Sequence, residues 1–394
     1  MTPLKITHYT LTSALGLGLE SQRRALREER SGLRPCDFET ARVPTWIGRV
    51  DGLESNALPA ELARYECRNN RLARIGLEQD GFADAVRAAK ERYGAKRIGL
   101  FLGTSTSGIH ETELAYRRRD ANGILPREFS YRYAHNVFSG ADFVSRYLGL
   151  EGPVSMISTA CSSSAKVFGI AWRHMRAGLC DAAVVGGVDS LCLTTLYGFS
   201  SLQVVSPDPC RPADAQRSGI SIGEAAGFAL LEWPQAGASG FGLLGYGDSS
   251  DAHHMSSPDP EGNGAALAMR RALQTAGLEA SSVGYINLHG TATPANDIAE
   301  DKAVCQVFGT DTPCSSTKGW TGHALGAAGI TEAVICLLAL EHNRLPRSLN
   351  TRKQDPEIRG HILMESREAQ LKYALSNSFG FGGNNSSLLL GRIA

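Results

Sequence analysis

Val154-Ser155-Met156-Ile157-Ser158-Thr159-Ala160-Cys161-Ser162-Ser163-Ser164 decides how this chain folds, because it passes from a strand pattern to a helix pattern within one turn. Residues 154–159 are nearly continuous in apolar and small side chains, the pattern of a buried central strand. Beyond the serines, Ala165, Phe168, Trp172 and Met175 recur at helical spacing, and Gly178 offers a stop. Cys161 therefore sits at or just before a buried helix N-terminus. Unpaired N–H groups and the helix dipole favour a thiolate there and lower the thiol pKa. The same N–H groups are suited to hold an oxyanion.

Working outward, residues 97–104, 182–188, 228–232 and 284–289 read as further strands, and helical patterns follow several of them. Alternation of this kind implies an α/β fold with mostly parallel, covered sheets. A soft Gly-, Ala- and Ser-rich stretch, 234–240, divides the chain into two halves of similar architecture, 1–240 and 241–394. Forty basic and forty acidic residues leave no global field for a nucleic-acid partner. The nine cysteines show no CxxC spacing, so reduced thiols are expected and a structural metal site is not. Residues 1–19 lack the apolar core of a signal peptide, and the run 333–340 is too short to span a bilayer. The expectation is a cytoplasmic protein without a membrane segment.

Two later segments carry polar chemistry. Residues 284–289 deliver His289 to the carboxyl end of a strand, where α/β proteins place ligands. Thr291 and Thr293 follow as short hydroxyl donors, and Pro294 opens a helix. Then Ser315-Ser316-Thr317-Lys318-Gly319-Trp320-Thr321-Gly322-His323 leads into a small-residue helix expected at 324–328. The positive helix end should keep His323 neutral. Glu332 is a lone carboxylate among Ala333, Val334, Ile335 and Leu337, and Lys318 is its expected partner. Each of these residues also has an ordinary structural reading; their joint occurrence is what argues for a site.

Together these segments resemble the elongating β-ketoacyl-ACP synthases of the thiolase-like superfamily. The anchors are 158–163 around Cys161, 287–294 around His289, 316–329 around Lys318 and His323, and Asn377-Ser378-Phe379-Gly380-Phe381-Gly382-Gly383-Asn384. Residues 247–255 resemble a further loop beside the family's active site. The resemblance implies a thiolase-like duplicated α/β fold in five α-β-α-β-α layers, and a dimer. It implies that Cys161 takes the acyl group, and that His289 and His323 donate hydrogen bonds to the malonyl thioester during loss of CO2. Lys318 and Glu332 would hold charge and geometry, and the N–H groups of Cys161 and Phe381 would form the oxyanion hole. Phe381 would gate the acyl pocket, and Thr291 and Thr293 would contact the phosphopantetheine arm. No cofactor beyond that carrier-borne arm is implied. The implied partners are acyl carrier protein and either a second copy of the chain or a chain-length-factor-like homologue.

Departures from the family pattern accompany the likeness. Arg211-Pro212 is followed by Ala213-Asp214-Ala215-Gln216-Arg217-Ser218-Gly219, without the usual aromatic and two acidic residues, and the stretch 206–212 is short. Thr106 stands where the family often has an apolar pocket residue. These features resemble ketosynthases of aryl-polyene-type pathways. Arg68, Arg71 and Arg74 on one helix read either as a plain solvated face or as a face for an acidic carrier protein. The rival readings are a non-catalytic chain-length factor, which would lack the cysteine, and an acyl-CoA-using thiolase or acyltransferase.

Overall fold

The large sheet contains β1 (Leu4–Thr12), β2 (Ile98–Gly103), β3 (Val154–Ile157), β4 (Ala182–Asp189), β5 (Ala225–Glu232), β6 (Gly240–Ser250), β7 (Tyr285–Asn287), β8 (Pro313–Ser315), β9 (His361–Ile362), β10 (Tyr373–Gly380) and β11 (Asn384–Ile393) in a computed structural model that describes residues 1–393. Its spatial order is β9-β8-β7-β10-β11-β6-β1-β5-β4-β2-β3. The first five strands lie as 1-5-4-2-3, antiparallel, antiparallel, parallel, parallel. The array β6-β11-β10-β7-β8 repeats that sequence of directions in the same chain order, with β9 added at its edge. Among the described residues the strands of the two arrays pair with each other only where Leu4, Lys5 and Ile6 meet Leu243, Gly242 and Phe241. The chain is thus one topology used twice.

The helices that cover these arrays include α1 (Arg68–Leu77), α2 (Phe82–Tyr93), α3 (Ser139–Leu148), α4 (Ser163–Arg176), α5 (Asn263–Ala276), α6 (Pro294–Phe308) and α7 (Ala328–His342). α4 and α7 pack on each other and on strands of both arrays, so they form the middle layer. On one side of β5, Ala225, Ala229 and Leu231 join the core around these central helices, while Ala226, Phe228 and Leu230 join the core under α1, α2 and α3. Period-two alternation with both faces buried explains why the strand reads as uniformly apolar. α5 and α6 cover the outer face of the second array. The result is the five-layered α-β-α-β-α arrangement.

Several boundaries differ from the sequence expectation for a shared reason. The strands expected at 97–104, 154–159 and 284–289 end at Gly103, Ile157 and Asn287. Past those points the backbone leaves the ladder to serve side chains: Thr159 N donates to Ser163 Oγ and His289 N donates to Glu300 Oε1. The helix expected at 324–328 is a 3-10 turn, Leu325–Ala327, and α7 proper starts at Ala328, because Leu325 sits at φ +48°. The stretch Leu325–His342 is long and apolar enough to cross a membrane by length and composition, yet 89% of it is buried in this middle layer. Between Glu232 and Gly240 the chain passes from the first array to the second.

Candidate active site

Cys161 follows β3, His289 follows β7, Lys318 and His323 follow β8, and Phe381 follows β10, so strand ends of both arrays converge on one cavity of about 310 Å³. The turn that presents Cys161 is strained: Ala160 holds φ +52°, a region non-glycine residues seldom adopt. Hydroxyls lock it. Ser162 Oγ donates to Thr159 O and Ser163 Oγ donates to Ala160 O. The helix begins two residues after the thiol, at Ser163. Cys161 is only 7% exposed, and burial pushes its thiol up to about 12, against the opposing charge of Lys318. The lowered thiol pKa expected from the helix dipole is therefore corrected: desolvation of the buried sulfur outweighs the dipole. At rest the group is S–H, and the backbone N–H of Phe381 points to its sulfur.

His323 Nε2 lies 3.0 Å from Cys161 Sγ. Its backbone is held on both sides, since His323 N donates to Ser221 O at 2.7 Å and Gly223 N donates to His323 O at 2.9 Å. His323 is neutral, as expected, but the cause is different. It does not head a helix; burial and the nearby Lys318 charge hold it well below the usual imidazole value. His323 Nδ1 is buried without a hydrogen-bond partner, so no neighbour pins its tautomer.

His289 faces His323 edge-on, with ring centroids 5.3 Å apart. Its backbone is held from behind by Glu300, which accepts from His289 N and Gly290 N at 2.8 and 2.7 Å and from Asn377 Nδ2 at 3.2 Å. Burial pushes Glu300 up to about 7 despite those donors. Lys318 uses all three ammonium protons, on Glu332 Oε1, His289 O and His289 Nδ1. An ammonium can only donate, so the neutral His289 carries its proton on Nε2 and offers an N–H to the cavity. Burial and the Lys318 charge keep that ring neutral. Burial raises Glu332, and Lys318 opposes the shift. The Sγ of Cys161 and one nitrogen of each histidine lie within 4.8 Å of one another, a set that could ligate a soft metal. With a proton fixed on Nε2, His289 is instead set up as a hydrogen-bond donor.

Thr291 and Thr293 line the cavity mouth, their hydroxyls 2.8 Å apart. Phe381 also lines it, exposed at its rim and 5.9 Å from the ring of Phe199. Thr106 is placed elsewhere. It is buried outside the cavity lining, and its hydroxyl donates to Asp189 Oδ1 at 3.0 Å and accepts from Ser190 N. The basic face expected on α1 is also absent. Arg68 is buried in an ion pair with Glu224, Arg71 pairs with Glu66, and Arg74 pairs with Glu78. Among the buried carboxylates that escaped the sequence reading are Glu300, Glu224 and Asp189. Glu300 stands three residues after Asp297 on one helix face, the local signal available for it; Glu224 and Asp189 carry no local signal. Asp297, also buried, accepts from Ala213 N and Ala292 N and lies 3.5 Å from Arg217, seating the 211–219 segment against the His289 loop.

Family models match in two consecutive pieces: the β-ketoacyl synthase N-terminal domain over residues 6–235 and the C-terminal domain over 242–352. The chain belongs to the β-ketoacyl synthase family. It is 32% identical to 3-oxoacyl-[acyl-carrier-protein] synthase 2 of Vibrio cholerae, covering 98% of both chains. It is 37% identical to the mitochondrial 3-oxoacyl-[acyl-carrier-protein] synthase of Arabidopsis thaliana, over 98% of this chain and 93% of the relative. Among solved structures, a ketosynthase from Xenorhabdus doucetiae in complex with its chain length factor matches with TM-score 0.90 at 38% identity, covering 100% of this chain and 98% of that one.

Proposed function

We propose that this β-ketoacyl synthase catalyses decarboxylative Claisen condensation of malonyl-ACP with an acyl group carried on Cys161. The observation that carries the reading is the buried Cys161 thiol, 3.0 Å from His323 Nε2 and sharing a cavity with His289. In the first half-reaction the sulfur attacks the acyl thioester carbonyl and its proton passes to His323 Nε2. The N–H groups of Cys161 and Phe381 hold the oxyanion, the C–S bond to the carrier arm breaks, and the departing thiolate takes up the proton. A sulfur nucleophile suits this step because it is also a good leaving group.

In the second half-reaction the malonyl thioester oxygen accepts hydrogen bonds from His289 Nε2–H and from His323 after its proton has moved from Nδ1 to Nε2, a tautomer change left open by the unpartnered Nδ1. The bond to the carboxylate breaks, CO2 leaves, and the electron pair attacks the Cys161 thioester. The new C–C bond forms as the bond to Cys161 sulfur breaks, and the released sulfur takes up one proton from solvent to return to S–H. One preorganised donor to such an oxygen contributes roughly 3 kcal/mol, or about a hundredfold in rate. Lys318 and Glu332 position His289, and Thr291 and Thr293 receive the phosphopantetheine arm.

The finer reading is a ketosynthase of an aryl-polyene-type pathway, cytoplasmic, using no cofactor of its own. It pairs with its own copy or with a chain-length-factor-like homologue. Support comes from the likeness to a ketosynthase solved with its chain length factor and from the departures within 206–219. β3 is one of the two edges of the sheet, and a partner strand would extend it.

Intact-mass spectrometry tests the core claim. Incubation with acyl-ACP should add one acyl mass, located on Cys161 and abolished in Cys161→Ala. His289→Ala should still acylate yet lose CO2 release from malonyl-ACP by about a hundredfold. Absence of any acyl adduct with ACP donors of varied length would refute the condensing-enzyme reading.

A further inference from the structure

Asp189, the last residue of β4, is fully buried and belongs to no part of the chemistry above. It nevertheless accepts more hydrogen bonds than any catalytic side chain. Thr104 Oγ1 donates at 2.6 Å, Ser105 N at 2.8 Å, and Thr106 N and Oγ1 each at 3.0 Å to Oδ1; Ser105 N and Gly326 N, at 2.9 and 2.6 Å, reach Oδ2. A lone buried carboxylate of this kind is costly, and only a full set of donors makes it tolerable.

The donors come from two segments, one from each half of the chain. Residues 104–106 leave β2, and Ser105 Oγ donates at 3.2 Å to Ala160 O, the carbonyl of the strained residue that presents Cys161. Gly326 lies in the 3-10 turn three residues beyond His323. In the duplicated topology Asp189 at the end of β4 corresponds to the end of β10, which carries Phe379, Gly380 and the turn to Phe381. The two equivalent strand ends thus flank the same sulfur.

We propose that Asp189 is the positioning residue that sets the Cys161 Sγ to His323 Nε2 contact, by tying the nucleophile's turn and the His323 segment to one carboxylate. This inference rests on the condensing-enzyme reading for its consequence and on the hydrogen bonds alone for its geometry. Both Asp189 oxygens accept from backbone N–H groups. An asparagine would have to turn its NH2 towards one of those sets, so Asp189→Asn must lose the Gly326 bond or the Thr104–Thr106 bonds. The groups that face the thiol are His323, His289, Lys318, Glu332 and Asp189 itself, whose charge opposes thiolate formation.

Two readouts on the intact chain separate positioning from mere folding. In Asp189→Asn, transfer of the acyl group from acyl-ACP to Cys161 should slow at least about tenfold. The pH profile for iodoacetamide alkylation of Cys161 should move to lower pH, since a buried negative charge has been removed. Loss of fold would leave no such shifted profile in the folded fraction. Ser105→Ala keeps every Asp189 bond, which uses the Ser105 backbone, and removes only the tether to Ala160 O. It should retain thermal stability and slow acylation several-fold. Unchanged acylation in Ser105→Ala together with an unshifted alkylation profile in Asp189→Asn would overturn the proposal. Failure of the wild-type chain to acylate would instead count against the condensing-enzyme reading, and the alkylation profile would still test the geometry.

Discussion

Lys318 and Glu332 form a buried pair whose value is positional. Both side chains are almost fully excluded from solvent, and Glu332 Oε2 has no partner of its own. Removing Lys318 strands a buried carboxylate, so Lys318→Met should cost about 3–5 kcal/mol in chemical denaturation, whereas Lys318→Met/Glu332→Leu should recover much of it. The double variant should remain inactive, because His289 loses the cation that fixes its proton on Nε2. The two histidines make a second claim at this scale. Burial depresses His323, so its stabilising contribution is full above the unfolded value near 6.5 and is lost as pH falls below it. Glu300 and Glu332 have the opposite sign: raised in the folded state, they favour folding at low pH and lose that contribution as pH rises towards about 7. The clean measurement is therefore a difference. The stability gap between wild type and His323→Gln should shrink by about 1.4 kcal/mol per pH unit below about pH 6.5. A gap that stays constant from pH 7 to 5 would mean the ring accepts a proton in the folded protein.

At the scale of elements, the strand-to-helix junction at Cys161 and the proline-started helix after His289 were legible because both are local: apolar periodicity, a stop glycine and Pro294 lie within a few residues of each other. Residues that act across long sequence separations were not. Arg68 looked like a surface cation on a helix, yet its carboxylate partner Glu224 lies 156 positions away. Thr106 looked like a pocket residue, but Asp189, 83 positions on, turns its hydroxyl inward. The 3-10 turn before α7 was hidden for the same reason, since Leu325 takes a left-handed conformation while its neighbour Gly326 binds Asp189. The central helix pair gives the prediction for this scale. A Cβ built on Gly329 would stand 2.5 Å from Ala165 N, so α7 approaches the first turn of α4 only because that side chain is absent. Gly329→Ala should force the helices apart at a cost of about 1–3 kcal/mol. It should also slow acylation of Cys161, because α4 follows directly from the nucleophile's turn. Stability loss with wild-type acylation rates would show that the turn is set by its own hydroxyl bonds and not by helix packing.

For the whole molecule the question is what completes the sheet. One array ends in β9; the other ends in β3, whose four residues are only half-buried although strand β2 and helix α3 cover them from within. On the same flank, the segment before α3 leaves Tyr131, Val137 and Phe138 exposed, and it packs against α3, which packs against β3. An open strand edge beside exposed aromatic and aliphatic side chains is a surface that folded proteins normally cover. A second ketosynthase-like chain, whose own edge offers the same pattern, could pair there antiparallel about a twofold axis. The exposed residues can be changed without touching the core, and such surface substitutions usually shift stability by less than about 0.5 kcal/mol. Val137→Asp/Phe138→Asp should therefore leave the melting temperature of the chain nearly unchanged while converting a dimer to monomer in sedimentation velocity. The same double variant should fail to retain a co-expressed chain-length-factor-like partner if that is the native arrangement. A dimer that survives both substitutions would place the interface elsewhere and leave β3 a free edge.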